Sequence, residues 1–105
     1  MSSDRRRAPR IELVGRLHGH VAALNVSVSV REISLGGLSM ESDVEFPPGV
    51  VHEFRLTLGD DSLVVLKGRI VYCRESPRAD GTPGFLCGVQ FIDDEPGEDL
   101  ISRMT

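Results

Sequence analysis

Four arginines crowd the first ten residues of this 105-residue chain, and side chains of this type can bind a compact anion. The arm over residues 1–10 carries Arg5, Arg6, Arg7 and Arg10. A guanidinium group can bind a phosphate through two hydrogen bonds, pair with the O6/N7 edge of guanine, or stack on a purine. A solvated basic tail is the ordinary alternative for such a charge run. Pro9 stiffens the arm directly before the first predicted strand, and this favours a binding role.

A second candidate segment runs from residue 32 to residue 37 and could contact a base. Glu32 can accept hydrogen bonds from the N1 and N2 donors of guanine, and the Ser34 hydroxyl can donate or accept. Gly36 and Gly37 are expected to permit positive φ angles and the close approach of a flat ligand to the backbone. An ordinary hairpin turn with an exposed acid is the alternative, and the segment alone does not decide between them.

Alternation of apolar and polar residues indicates β-strands along most of the chain. The alternation from Leu24 to Val30, if continued, buries Glu32, so we predict a bulge or a strand end near Arg31–Glu32. Tyr72 is in phase with the inward residues of its predicted strand. Five to seven short strands linked by hairpins favour a small antiparallel barrel. Strands are expected near 11–17, 24–30, 38–40, 54–58, 66–73 and 85–91, with a tight turn at 59–61, a polar loop at 76–83 and a short helix at 99–104.

Length and composition favour a single domain over residues 11–105, because 40% apolar residues suffice for one core. No apolar run could span a bilayer, and the charged start does not resemble a secretory signal, so we expect a cytoplasmic protein. Cys73 and Cys87 are expected to be buried, reduced thiols in strands, with a disulfide across a hairpin as the less favoured alternative. The histidines show no ligand spacing typical of a metal site, so no metal is expected.

Taken together and in this order, the two segments resemble the PilZ domain family, whose motifs are R-x-x-x-R in an N-terminal arm and (D/N)-x-S-x-x-G about one strand later. Arg6 and Arg10 match the first motif, and Ser34 and Gly37 match the second. Glu32 stands where the family carries Asp or Asn. The resemblance covers about residues 4–104. It implies an all-β, six-stranded antiparallel split β-barrel with a short C-terminal helix.

The resemblance also implies that the domain binds cyclic di-GMP. Arg6 and Arg10 would then contact the phosphates and guanine, Ser34 and Gly37 would line the base, and Glu32 would be a polar contact. Arg5, directly before the first motif, would contact a second ligand molecule. Because Glu32 is one methylene longer than Asp, we expect weaker binding, at a cost of about 1 kcal/mol in ordering entropy.

The functional hypothesis is a receptor whose arm closes on cyclic di-GMP and whose altered surface recruits a protein partner, as a monomer or dimer. The alternative is a ligand-independent adaptor for protein–protein interactions. Binding to nucleic-acid polymers is disfavoured by the net charge of −4 and by the few aromatic residues. An enzyme is not expected, because no nucleophile and base occur in a recognisable motif. No cofactor is expected apart from the ligand.

Overall fold

The computed structural model describes residues 10–22, 24–58, 61–92 and 102, with side chains from Leu17 onward. Six strands follow one another along this part of the chain. They are β1 (Arg10–Val21), β2 (Val26–Ser34), β3 (Gly37–Ser42), β4 (Val51–Thr57), β5 (Leu63–Glu75) and β6 (Phe85–Phe91).

All strand pairs are antiparallel, and the sheet closes on itself in the order β1-β2-β3-β6-β5-β4. Closure gives each of the six strands two neighbours, which reduces the edge on which strands of two molecules would otherwise pair. The prediction of an all-β, six-stranded antiparallel barrel is therefore confirmed. Within the described residues, no helix is long and apolar enough to cross a membrane. The predicted helix at 99–104 lies outside the described residues except for Ser102.

Inward-facing side chains of all six strands fill the barrel, as the alternation predicts. Phe54, Leu56 and Leu58 are buried, as are Cys87 and Val89 of β6, and Phe85 is partly buried against the same core. Phe46, from the segment between β3 and β4, lies in the same core and is fully buried. Burial of these apolar side chains is the main term that stabilises the fold.

The turn between β1 and β2 differs from the sequence prediction. Leu24 was expected to begin a half-buried strand, but it lies in the turn and is 48% exposed, and β2 begins at Val26. Asn25 adopts a positive φ of 55°, a conformation that Asn tolerates better than most residues. The tight turn therefore takes Leu24 out of the alternation.

Two further loops agree with the predictions where they are described. Glu75 ends β5 and Phe85 begins β6, so the polar stretch at 76–83 is a loop. At the turn after β4, the Leu58 amide donates to the Ser62 carbonyl at 2.9 Å, and Asp61 has a φ of 69°. Residues 59 and 60 of that turn lie outside the described residues.

Candidate functional site

The second candidate segment forms the turn between β2 and β3. Glu32 and Ser34 lie at the end of β2, and Gly37 begins β3. The Ser34 hydroxyl is 3.4 Å from the Gly37 carbonyl, to which it donates a long hydrogen bond. The turn therefore holds Glu32, Ser34 and Gly37 within one short stretch of the outer barrel surface.

A bulge in β2 determines which side of the sheet Glu32 occupies. The pairing of β2 with β3 shifts register between Val30 and Glu32. Val30 and Ile33 are both fully buried, whereas Glu32 is only half-buried. The predicted irregularity near Arg31–Glu32 is thus confirmed. The extra residue lets the chain bury Ile33 while it keeps the carboxylate out of the core.

The two glycines of the turn have different surroundings, and neither adopts the positive φ that the sequence suggested. In the described chain, the positive-φ glycines are Gly49 and Gly81, so Gly36 and Gly37 do not use that conformation. A Cβ on Gly37 would lie 2.1 Å from the Val89 carbonyl oxygen, whereas nothing lies within 4 Å of a Cβ on Gly36. Gly37 is therefore needed for the close approach of β3 to the β6 backbone.

A row of four residues crosses the outer surface of neighbouring strands beside this turn. Glu32 is paired with Ser39, Ser39 with Gly88, and Gly88 with Tyr72. The row spans three interstrand spacings, or about 14 Å. Its two middle members carry little or no side chain, so they leave a depression between Glu32 and Tyr72.

This depression is a cavity of about 250 Å³ on the outside of the barrel. It is open to solvent along the row and combines a carboxylate, hydroxyl groups and one aromatic ring. Its lining residues are Glu32, Ile33, Ser34, Gly37, Leu38, Ser39, Val71, Tyr72, Gly88 and Val89.

Tyr72 forms the wall of the cavity opposite Glu32. A Cβ on Gly88 would lie 2.3 Å from Tyr72 Cε2 and 2.8 Å from two further ring atoms, so the ring covers the Gly88 backbone. The Arg74 guanidinium lies over the ring, 5.5 Å from its centroid. This cation–π pair places a positive charge at the Tyr72 side of the cavity.

The sequence analysis missed this wall because a second bulge lies in β5. The pairing of β5 with β6 shifts register between Ile70 and Tyr72. Tyr72, predicted in phase with the buried Ile70, is instead 40% exposed, and Cys73 takes the inward position. An unbroken alternation carries no signal for such a bulge. The prediction that Tyr72 shares a strand face with Ile70 was wrong.

The arginine-rich arm reaches this site at its last residue. Arg10, assigned from the sequence to the arm, is the first residue of β1, and its Cα is paired with that of Ser34. Arg5 and Arg6 lie outside the described residues. The backbone thus brings the end of the first candidate segment directly beside the second.

The fold and the position of the cavity define a class of protein, namely a small closed β-barrel with its candidate site on the outer wall. The sequence profile of the PilZ domain matches residues 4–105, and this chain therefore belongs to the PilZ domain family. No curated protein matches the sequence.

Solved structures share the fold at low sequence identity. The PilZ domain of Escherichia coli YcgR with c-di-GMP is 14% identical, with a TM-score of 0.71, and 95% of this chain covers 91% of that one. The K. pneumonia MrkH–c-di-GMP complex is 14% identical, with a TM-score of 0.70 over 97% of this chain. Apo MrkH has a TM-score of 0.75 at 10% identity over 99% of this chain. This chain spans about half of MrkH, covering 53% and 50% of the two MrkH chains.

Proposed function

We propose that this domain is a receptor for cyclic di-GMP, without catalytic activity, which binds the ligand in the cavity between Glu32 and Tyr72. The register that sets Arg10 opposite Ser34 is the observation on which the proposal rests. It brings a residue of the arm motif to the cavity that the second motif lines. Membership of the PilZ family and the likeness to barrels solved with c-di-GMP support the same ligand.

Each part of the cavity has chemistry that suits a guanine base. The Glu32 carboxylate can accept from the N1 and N2 donors of guanine, and the Ser34 hydroxyl can add one further hydrogen bond. The small side chain of Ser39 leaves room above the sheet for a flat ring, beside the Tyr72 ring that covers Gly88. Tyr72 offers an aromatic surface, on which bases bind with little dependence on their identity. Base identity is therefore selected at the Glu32 side.

Arginines supply the charge that a dianionic ligand requires. We propose that Arg6 and Arg10 contact the phosphates and one guanine, and that Arg5 contacts a second ligand molecule. Gly36 and Gly37 complete the proposed site at the β2–β3 turn. Ordering of the arm over residues 1–10 on the bound ligand then changes the barrel surface, and this change recruits a protein partner.

Calorimetric titration of the full chain with cyclic di-GMP, GMP and cyclic di-AMP tests the proposal. We expect binding of cyclic di-GMP alone. Arg10→Ala should weaken it by about 1.5 to 3 kcal/mol, because a charge-assisted contact is lost. Arg55→Ala is the matched control, since Arg55 is an exposed arginine of β4 whose described partner is Glu53 at 3.3 Å. Equal losses in the two variants would contradict a specific role for Arg10.

A ligand-independent adaptor is the second candidate function, and one surface feature favours it. Leu63, Val65 and Val71 on β5 are more than half exposed, at 56%, 52% and 55%. Apolar side chains that share one strand face can bind a protein partner. Absence of heat from the wild-type chain at tens of micromolar cyclic di-GMP would support this function over the receptor.

A further inference from the structure

Two cysteines face each other directly behind the floor of the cavity. Cys73 of β5 is paired with Cys87 of β6, and the Cys87 thiol donates to Cys73 Sγ at 2.9 Å. Both are free thiols. Directly opposed residues of antiparallel strands have Cα atoms about 4.5 to 5.5 Å apart, within the range that a disulfide bridges.

The β5 bulge creates this pair. Without the register shift between Ile70 and Tyr72, Tyr72 would keep the inward phase of Ile70, and Cys73 would face away from the core. The same bulge therefore places Tyr72 at the cavity and pairs Cys73 with Cys87. The Phe46 amide donates to Cys73 Sγ at 3.3 Å, which helps to hold that sulfur in place.

We propose that Cys73 and Cys87 form a reversible redox site, in which a hydroperoxide oxidises the two thiols to a disulfide that joins β5 to β6 beneath Tyr72 and Gly88. The proposal does not depend on the nature of the ligand in the cavity.

The two thiols differ in access to solvent. Cys87 is fully buried, and burial, with a smaller effect of its hydrogen bond to Cys73, raises its pKa to about 12. Cys73 is only half-buried. The thiolate is the reactive form of cysteine, so the oxidant reacts first at Cys73.

The reaction proceeds in two steps. The Cys73 thiolate attacks one oxygen of the hydroperoxide, the O–O bond breaks, and the second oxygen leaves with a proton as water or an alcohol. Cys73 is then a sulfenic acid. Cys87 Sγ attacks Cys73 Sγ, the S–O bond breaks, and hydroxide leaves with the Cys87 proton as water. Two thiols lose two electrons and two protons, and the hydroperoxide is reduced.

Intact-mass analysis of the folded, full chain before and after treatment with hydrogen peroxide tests the proposal. We expect a product about 2 Da lighter that no longer reacts with a maleimide after denaturation, and that dithiothreitol returns to the starting mass. A chain in which both thiols remain alkylatable would overturn the proposal. So would a chain with Cys73 oxidised to a sulfinic acid and Cys87 still free.

Variants identify the order of events. Cys87→Ala removes the resolving thiol, so a sulfenic acid should accumulate at Cys73 and be trapped by dimedone. Cys73→Ser should leave Cys87 unmodified over the same time. Rapid oxidation of Cys87 in Cys73→Ser would contradict the assigned order.

The single tyrosine reports whether the pair is coupled to the cavity. The chain has one Tyr and no Trp, so its tyrosine fluorescence, excited where Phe does not absorb, comes from Tyr72 alone. We expect disulfide formation beside Tyr72 to change this fluorescence, and reduction to restore it. Identical emission from fully oxidised and reduced protein would contradict the coupling.

Discussion

Two walls of the barrel are built in different ways. In the wall formed by β4 and β5, the pairing keeps one register from Val51↔Arg69 to Thr57↔Leu63. In the wall that carries the cavity, the pairing shifts at Val30/Glu32 and again at Ile70/Tyr72. Regular pairing in the first wall closes the barrel. The two shifts turn Glu32 and Tyr72 outward, at opposite sides of one depression.

The difference shows how a small barrel can gain a site without a long loop. A bulge reverses the facing of every residue that follows it, at the cost of one unpaired residue. In this chain, two bulges on either side of β3 and β6 turn an acid and an aromatic residue outward on strands that are three interstrand spacings apart, or about 14 Å between their backbones. The floor between them is the backbone of β6 and the small side chain of Ser39.

The largest expected effect is on stability and concerns Gly37, where β3 lies directly against the backbone of β6. Gly37→Ala places a Cβ 2.1 Å from the Val89 carbonyl oxygen, so β3 and β6 must separate. We expect a loss of about 2 to 3 kcal/mol in the free energy of unfolding. Gly36→Ala is the matched control, because its Cβ meets nothing within 4 Å and should change stability by about 0.5 kcal/mol or less. Urea denaturation of both variants checks this prediction, and equal losses would contradict the distinct roles of the two glycines.

Tyr72 gives the next largest effect, on ligand binding. Tyr72→Ala removes the aromatic wall of the cavity, and we expect about tenfold weaker binding of cyclic di-GMP, or 1.4 kcal/mol. Tyr72→Phe keeps the ring and should bind nearly as the wild type does. Calorimetry on both variants separates the two outcomes. Wild-type affinity in Tyr72→Ala would show that the β5 side takes no part in the site.

These two walls also mark how far the sequence could be interpreted. Strict alternation correctly predicted the inward residues of β4, and the burial cost of a carboxylate correctly predicted the β2 bulge at Glu32. Nothing comparable marks the β5 bulge, because both Ile70 and Tyr72 are apolar enough for a core. The sequence therefore identified the Glu32 side of the cavity and missed Tyr72, Ser39 and Gly88.

Other features depend on contacts that no local pattern contains. The family resemblance assigned Arg10 and Ser34 to one ligand, but the pairing of their Cα atoms follows only from the register of β1 with β2. Likewise, the sequence offered a disulfide between Cys73 and Cys87 only as the less favoured alternative, and their direct pairing follows from the bulge. Strand pairing is set by the whole sheet, so single-strand periodicity cannot specify it.

A smaller effect is expected from Glu32→Asp. The shorter acid restores the residue type of the family motif and has fewer rotamers to lose when it binds a base. We expect tighter binding of cyclic di-GMP by about 1 kcal/mol, or roughly fivefold. Glu32→Gln is the control, because it keeps the length and removes the charge. Calorimetric titration compares the three chains, and weaker binding by Glu32→Asp would mean that the cavity is shaped for the longer side chain.

The smallest effect tests the regular wall, whose described part contains one buried polar atom without a hydrogen-bond partner, Nε2 of His52. The ring lies between Phe46 and Phe54, with centroid distances of 5.4 and 6.2 Å, and desolvation lowers its pKa from 6.5. Below pH 6.5, His52 of the unfolded chain binds a proton, whereas His52 of the folded chain stays neutral until the pH reaches its lowered pKa. Stability should therefore be complete above about pH 7 and fall as the pH drops from about 6.5 through the lowered folded value.

Urea midpoints at about pH 8 and about pH 5.5 measure this dependence. His52→Phe suits the aromatic surroundings and should remove it, because no titrating group then remains between the two rings. The Asp80 carboxyl does not interfere: hydrogen bonds from Thr82 lower its pKa from 3.8, so its stabilisation is lost only in more acidic solution. If His52→Phe left the pH dependence unchanged, the loss of stability at low pH would have to come from other titrating groups, and the burial of His52 would not destabilise the fold in acid.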